Sequence, residues 1–168
     1  MPLFVLWLND PDVRYWLSMA DGPEFTLESE QEWYEEMRAD PWRLVWCIET
    51  EDGQPIGNLG LLEIEETHGR ATLGIAIGEK DFWGRGYGTE AIRQVLRYAF
   101  EEIELRRVAL GADEDNARGI RCYEKCGFVR EGLLRGYRVR RGQPVNGVVM
   151  AVLREDWERG AREGPGGR

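Results

Sequence analysis

The stretch "DFWGRGYGTEA", residues 81–91, constrains the fold of this 168-residue chain more than any other segment. Glycine occupies every second position at Gly84, Gly86 and Gly88, between a strand-like run and apolar residues at helical spacing. The first amides of a helix have no internal partners, and small residues allow a phosphate to approach the backbone. We therefore predict a phosphate or pyrophosphate site here, with Arg85 adding positive charge.

Two known glycine-loop classes fit this segment poorly. A Walker P-loop ends in Gly-Lys-Ser/Thr, whereas this loop ends in Gly88-Thr89 without a lysine before the threonine. The dinucleotide fingerprint requires glycine or alanine where Thr89 stands, and it follows a parallel strand. Taken alone, the three glycines are also consistent with a tight turn that binds nothing.

The apolar periodicity predicts helices and strands in a fixed order along the chain. The turn signals "EDGQ" and "THGR" separate the first three strands, which indicates an antiparallel meander. Thr26 is the candidate N-cap of the second helix, with Ser29 as its rival. The predicted helices cover 3–17, 26–38, about four turns up to 103, and a short segment after 116 that ends at Gly127; the predicted strands cover 43–50, 55–66, 71–78, 106–112, 128–135 and 144–153.

Composition excludes several classes of protein. The chain has one histidine, His68, which disfavours zinc hydrolases, Ser-His-Asp triads and Cys-His pairs. Three cysteines without framework spacing indicate reduced thiols in the cytoplasm, and Cys122 and Cys126 fit two small buried apolar residues better than a metal pair. No apolar run reaches the roughly 20 residues of a membrane span, and the N-terminus lacks signal-peptide features. We expect a cytoplasmic protein with no membrane partner and no metal.

Charge is unevenly distributed along the chain. The formal net charge of -9 disfavours a nucleic-acid partner. Residues 1–66 carry 16 acidic and 3 basic side chains, whereas residues 67–168 carry 15 acidic and 19 basic ones. Either these are two solvated surfaces, or the second part faces an anion and the first faces a cation.

A second motif, "DNARGIRCYEKCGF" at residues 115–128, follows one strand later. The two motifs together resemble the GNAT superfamily of N-acetyltransferases, which has a Q/R-x-x-G-x-G/A loop and then Asn-(x)6-Tyr-Glu-Lys-x-Gly-Phe. Trp83 departs from the Q/R position, and Arg85 is a candidate to supply the charge. "WLNDPDVRYWL" and "VVMAVLREDW" resemble the subgroup of ribosomal-protein N-terminal and spermidine acetyltransferases. The positions that match the motifs are Gly86, Gly88, Asn116, Tyr123, Glu124, Lys125, Gly127 and Phe128.

The resemblance implies an α/β (α+β) fold in a single acetyltransferase domain over residues 1–158. Its sheet is mixed, mostly antiparallel and twisted, with six or seven strands flanked by helices. We expect the Gly- and Arg-rich residues 159–168 to be disordered. Relatives open with a strand that is missing here or reduced to Pro2–Phe4, which leaves an exposed sheet edge. An upstream start or a homodimer over this edge would explain that departure.

The resemblance also implies acetyl-CoA as the acetyl donor. Its pyrophosphate is expected on the amides of Arg85–Thr89, and its pantetheine beside the strand that ends at Ile77, in a gap opened by a bulge. Asn116 is expected to hydrogen-bond the pantetheine arm or to cap the following helix. The expected cofactor-binding residues are Ile75, Ile77, Arg85, Gly86, Tyr87, Gly88, Thr89, Asn116 and Tyr123.

Tyr123 is the expected catalytic residue. When a neutral amine attacks the thioester, a thiolate must leave, and a phenol with a pKa of about 10 can donate its proton. Tyr123 is alternatively a half-buried core aromatic. Glu49, Glu63 and Asp113 are candidates for the general base, although each also fits a solvated acid; some relatives carry a glutamate near the position of Gly111.

These expectations predict transfer of an acetyl group from acetyl-CoA to a primary amine. The acceptor is a protein N-terminus, a polyamine or another small cationic amine such as an aminoglycoside. The alternative is a CoA-binding sensor or regulatory module without turnover.

Overall fold

The computed structural model describes residues 2–17, 19 and 21–163, with side chains to residue 160. This part of the chain forms six α-helices and six strands in an α/β arrangement. A turn of 3-10 helix at Lys80–Phe82 precedes α4, and a π-helical turn at Tyr98–Glu102 extends it. The elements are α1 Pro2–Asn9, α2 Pro11–Trp16, α3 Leu27–Ala39, β1 Leu44–Glu49, β2 Pro55–Glu65, β3 Arg70–Ile77, α4 Tyr87–Arg97, β4 Arg107–Asp113, α5 Ala117–Lys125, β5 Val129–Arg140, β6 Gln143–Leu153 and α6 Arg154–Glu163.

The strands form one sheet in the order β1-β2-β3-β4-β6-β5. Every neighbouring pair is antiparallel except β3 and β4, which are parallel, and this confirms the predicted mixed, mostly antiparallel sheet. The buried face of α4, formed by Ile92, Val95 and Leu96, belongs to one apolar core with strand residues such as Leu61 and Val108. This packing fixes the N-terminus of α4 against the middle of the sheet.

The β3–β4 pair separates partway along its length. The two strands pair only from Arg70–Thr72 to Arg107–Ala109, in uniform register, and the remainder of each strand diverges. No bulge lies within this pairing, so the separation arises where the pairing ends and not from the expected bulge. The N-termini of α4 and α5 both lie at the resulting gap, which places two sets of unpaired helix amides around it.

The first predicted helix is two helices. The carboxylate of Asp10 accepts hydrogen bonds from the amides of Asp12 and Val13, and Pro11 occupies the first turn of α2, so the chain ends one helix and begins another. Pro2–Phe4 lies in α1, and none of the described residues before Leu44 is in a strand. The prediction that the first strand is missing or reduced to Pro2–Phe4 is therefore confirmed in its first alternative for the described residues, and β1 forms one edge of the sheet.

The other predicted helix boundaries are close to the observed ones. Thr26 and Ser29, predicted as rival caps, act together in a capping box at the start of α3. Gly127, at φ 91°, follows α5 as predicted. At the C-terminus, α6 continues to Glu163, beyond the predicted boundary at 158/159, and residues 164–168 lie outside the described part of the chain.

Candidate active site

A cleft of about 560 Å³ lies at the end of β3, beyond the point where β3 and β4 stop pairing. The end of β3 forms one side, the loop into α4 forms a second, α5 forms a third, and α2 contributes part of the rim. Three separate parts of the chain therefore converge on one site: α2, the segment from β3 into α4, and α5. Eight of the nine predicted cofactor-binding residues line it, namely Ile75, Ile77, Arg85, Gly86, Gly88, Thr89, Asn116 and Tyr123.

The loop before α4 adopts a backbone that favours glycine. Gly84 has φ 75° and Gly86 has φ 95°, and a Cβ at either position would meet no atom within 4 Å. Gly86 is the N-cap of α4 and has no side chain to bond the first helical amides. These amides therefore face open space in a positive helix-dipole field, as an anion site requires.

Two predicted loop residues differ from expectation in detail. The amide of Arg85 donates to the Phe82 carbonyl at 3.4 Å and is therefore not free for a ligand. Of the predicted amides, those of the first turn of α4 remain. The ring of Tyr87 packs edge-on against Phe82 with centroids 5.3 Å apart and does not line the cleft. Tyr87 can thus contribute its backbone amide, but not its side chain.

Positive charge concentrates around the cleft. Arg85, Arg118, Arg121 and Lys125 all line it, which agrees with the prediction that the second part of the chain faces an anion. The guanidinium of Arg118 lies 3.9 Å from the ring centroid of Trp83, and burial lowers the pKa of Arg118. Stacking holds this cation at the cleft wall.

Trp83 stands where the family motif has glutamine or arginine, and its side-chain contacts show what it does there. Its indole Nε1 donates a 2.7 Å hydrogen bond to the carbonyl of Ile77, which ties the loop to the end of β3. The ring also supports Arg118. Trp83 therefore shapes the cleft with its side chain, whereas a glutamine or arginine there would have contributed a polar group.

The free edge of β3 presents backbone groups to the cleft. The amide of Gly78 donates to Ile56 of β2 at 2.9 Å. Because backbone direction alternates along a strand, Ile75 and Ile77 then point their backbone groups away from β2 and into the gap. Trp83 occupies the Ile77 carbonyl, so the amide of Ile77 and both groups of Ile75 remain to pair with a bound chain.

Asn116 and Tyr123 lie on α5 at the opposite side of the cleft. The Asn116 Oδ1 atom accepts from the Gly119 amide at 2.9 Å, so the predicted N-cap role is present. Tyr123 is half-buried, its ring packs against Phe128 at 6.1 Å, and its hydroxyl has no hydrogen-bond partner among the described residues. Burial raises the pKa of Tyr123 to about 12, which keeps the phenol protonated at neutral pH.

Cys122 also borders the cleft. The sequence predicted only a small buried apolar residue at this position. Its Sγ atom lies 3.3 Å from Oγ1 of Thr89. Hydrogen bonds from Cys126 and Thr89 lower the pKa of Cys122 to about 6, with Lys125 and Arg93 adding positive charge. Cys126 is buried, as predicted, and its hydrogen bond to Cys122, together with burial, raises its pKa.

None of the three candidate bases lines the cleft. Asp113 is buried in ion pairs with Arg138 at 2.7 Å and Arg140 at 2.8 Å, so its carboxylate is already occupied. Glu63 is exposed and accepts from Thr72 at 2.9 Å. Glu49 is exposed and borders a separate groove behind α4.

Sequence reasoning missed Glu30. This side chain is only 5% exposed and has no hydrogen-bond or ion-pair partner among the described residues. Burial raises its pKa. Helical spacing contained a signal, because Glu30 and Met37, the two buried residues of α3, lie seven apart on one face.

Neither a metal-binding cluster nor a membrane-spanning helix is present in the described part of the chain. It contains no group of three or more His, Cys, Asp or Glu side chains arranged to hold a metal ion. None of its helices combines the length and apolar character of a membrane span.

The chain is similar to known acetyltransferases. Residues 1–129 match the family described as acetyltransferase (GNAT) domain. The chain is 33% identical over 162 residues to "Putative ribosomal N-acetyltransferase YdaF" of Bacillus subtilis, covering 89% of this chain and 82% of that protein. It is 28% identical over 149 residues to the spermidine N(1)-acetyltransferase of Escherichia coli, covering 89% and 77%. The crystal structure of spermidine N-acetyltransferase from Vibrio cholerae with CoA and spermine superimposes with TM-score 0.86 at 23% identity, covering 94% and 91% of the two chains.

Proposed function

The chain belongs to the acetyltransferase (GNAT) domain family, and on this premise we propose that the cleft between β3 and β4 is its active site. The protein is an acetyl-CoA-dependent N-acetyltransferase that acts on amines. The observation that carries the assignment of the site is the open N-terminus of α4 beside the free edge of β3. One ligand with a pyrophosphate and an amide-containing arm satisfies both features.

The glycine loop is the proposed pyrophosphate site. The amides of Tyr87, Gly88 and Thr89 begin α4, and the left-handed Gly86 leaves them uncovered. Arg85 and the other cations of the cleft add full positive charges. The pantetheine arm would pair with the Ile75 backbone and the Ile77 amide as an added strand, with Asn116 at its other side.

Tyr123 is the proposed general acid. Acetyl-CoA supplies the activated thioester, and the phenol Oη holds a proton for the thiolate that leaves. A pKa raised to about 12 by burial keeps that proton in place until negative charge develops nearby. Since no candidate base lines the cleft, the proton of the attacking amine passes to water in this proposal.

The acceptor is proposed as a cationic primary amine: a polyamine, a protein N-terminus or another small amine. Relatives named as a spermidine and a ribosomal acetyltransferase support the first two classes. The 16 acidic residues among positions 1–66 favour a positively charged acceptor. We further propose that two copies of the chain associate over β1, the edge strand, which sedimentation velocity would test.

The test is consumption of the acetyl-CoA thioester over a panel of amines, with acetyl-CoA binding measured in parallel by calorimetry. We expect binding together with turnover of at least one amine class. Binding without turnover of any amine would indicate the sensor alternative for this site. Absence of binding would overturn the assignment of the cleft.

A further inference from the structure

A second cavity, of about 280 Å³, lies between helices α1–α3 and the sheet. Its floor is formed by residues of β2 and β3, among them the small residues Gly60, Gly74 and Ala76. Its walls are apolar and rich in aromatic rings. They include Phe4, Trp7, Phe25, Trp33, Val45 and Leu62.

One carboxylate interrupts this apolar lining. Glu30 borders the cavity at 5% exposure and has no partner among the described residues. Asn58 borders the same cavity, and its amide side chain is also without a partner in the described part of the chain. A buried, unpaired carboxylate is destabilising unless a cation or donor reaches it. The cavity therefore offers a binding site for one positive charge among apolar groups.

This cavity adjoins the acetyl-CoA cleft. Val13, Leu17, Ile75 and Ala76 line both spaces, so the two spaces adjoin along these four residues. Glu30 lines only the second cavity. A cation held by Glu30 is thus not the nitrogen that meets the thioester, which must lie in the cleft.

We propose that the acceptor is an α,ω-diamine, with one nitrogen in the cleft and the other, as an ammonium, paired with Glu30. This inference rests on the proposed function and names its substrate class. The methylene chain between the nitrogens would occupy the apolar cavity, where its burial is favourable. Since the cavity has one carboxylate among its lining residues, it provides for one additional ammonium group. Aromatic rings such as Trp7 and Trp33 would stabilise that cation further.

The reaction balances with these groups. The neutral nitrogen in the cleft forms the amide C–N bond while the thioester C–S bond breaks. The thiolate takes the proton of Tyr123, and the nitrogen releases one proton to water, from which the phenol is restored. The ammonium at Glu30 remains protonated and unreacted, so the product is a monoacetylated diamine.

The experiment compares kcat/KM for 1,4-diaminobutane, 1,5-diaminopentane and 1,6-diaminohexane with the monoamines of equal chain length. A hydrogen-bonded charge pair contributes about 1.5–3 kcal/mol, so the wild type should prefer the best diamine by roughly ten- to hundredfold. Glu30→Gln keeps the shape and removes the charge, and it should reduce this preference to near one. Glu32→Gln, an exposed glutamate of the same helix, should leave it unchanged.

Equal use of diamines and monoamines by the wild type, or an unchanged preference in Glu30→Gln, would overturn the inference. Greater activity on peptide N-termini than on diamines would do the same. If the wild type acetylates nothing, the proposed function fails, and calorimetry of each diamine against CoA-loaded protein still tests Glu30. Diamine binding that Glu30→Gln weakens would then support the pairing, and absence of diamine binding would contradict it.

Discussion

The Sγ atom of Cys122 lies 3.3 Å from Oγ1 of Thr89, and this contact joins α5 to the first turn of α4. Cys126 donates to the Thr89 carbonyl at 3.5 Å. One threonine therefore holds two thiols between the helices that form two sides of the cleft.

Alkylation of Cys122 should report on occupancy of the cleft. Hydrogen bonds and nearby cations lower its pKa to about 6, so thiolate accumulates as pH rises through that value. We expect iodoacetamide at pH 7 to modify Cys122 before Cys47, whose pKa is raised from 9.0 by desolvation. Acetyl-CoA should protect Cys122 and not Cys47, as measured by peptide mass spectrometry. An equal extent of Cys122 labelling with and without acetyl-CoA would contradict its place in the site.

Gly86→Val should weaken acetyl-CoA binding by at least about tenfold. A β-branched residue resists the left-handed backbone at φ 95°, and its side chain would enter the space in front of the α4 amides. Loss of one amide–phosphate hydrogen bond, at about 1.5–3 kcal/mol, accounts for the magnitude. Calorimetry with acetyl-CoA provides the measurement.

The matched control is Gly53→Val in the turn between β1 and β2. Gly53 has φ 80° and equally open surroundings, so both variants carry a similar backbone penalty of roughly 1–2 kcal/mol in unfolding free energy. Only Gly86→Val should alter acetyl-CoA affinity. Equal affinities for the two variants would show that the loop does not hold the pyrophosphate.

Tyr123→Phe should lower the rate of acetyl transfer by roughly two orders of magnitude, because general acid catalysis typically contributes 10²–10⁴-fold. That loss corresponds to about 2.7 kcal/mol of barrier. The ring remains packed against Phe128, so acetyl-CoA affinity should stay close to wild type. The decrease should appear mainly in kcat, since the proton is delivered only as the thiolate departs.

Tyr98→Phe is the control for this change, because its hydroxyl lies outside the cleft lining. Steady-state kinetics on the acceptor identified above compares the two variants. A Tyr123→Phe enzyme within threefold of wild type would show that Tyr123 is a packing residue.

Glu30→Gln should stabilise the fold at neutral pH while it weakens diamine use. Burial raises the pKa of Glu30 above its ordinary 4.5, so the folded state holds this proton more tightly than the unfolded chain does. The wild type therefore loses stability as pH rises through the folded pKa, and the variant does not. Urea unfolding at several pH values should give a difference that is largest at neutral pH and shrinks below about pH 4.5. A difference independent of pH would mean that Glu30 is not buried as a carboxylate.

Much of the fold followed from local sequence signals. The period of apolar residues located the strands and the amphipathic helix α4, and Thr26, Ser29 and Gly127 marked helix ends. Such signals act over a few residues, where backbone preference and side-chain spacing dominate. The break at Asp10 has the same local origin, although the apolar spacing of residues 3–17 runs across it and predicts a single helix.

The sequence also predicted the proposed cofactor site, because the glycines before the helix permit a left-handed backbone that leaves the first helical amides uncovered. Spacing alone connected this loop to Asn116 and Tyr123 through the family motif. Only the tertiary structure decided which groups remain available there. Trp83 occupies the Ile77 carbonyl, and Arg138 and Arg140 occupy Asp113.

The proposed acceptor site depends on long-range packing. Helical spacing places Glu30 on the same face of α3 as Met37, but its burial arises only when α1, α2 and the faces of β2 and β3 close around it. The gap between β3 and β4 likewise exists only where two distant strands stop pairing. Helix, strand and turn preferences depend on each residue and its near neighbours in sequence. The desolvation of a charge depends on every chain segment that surrounds it.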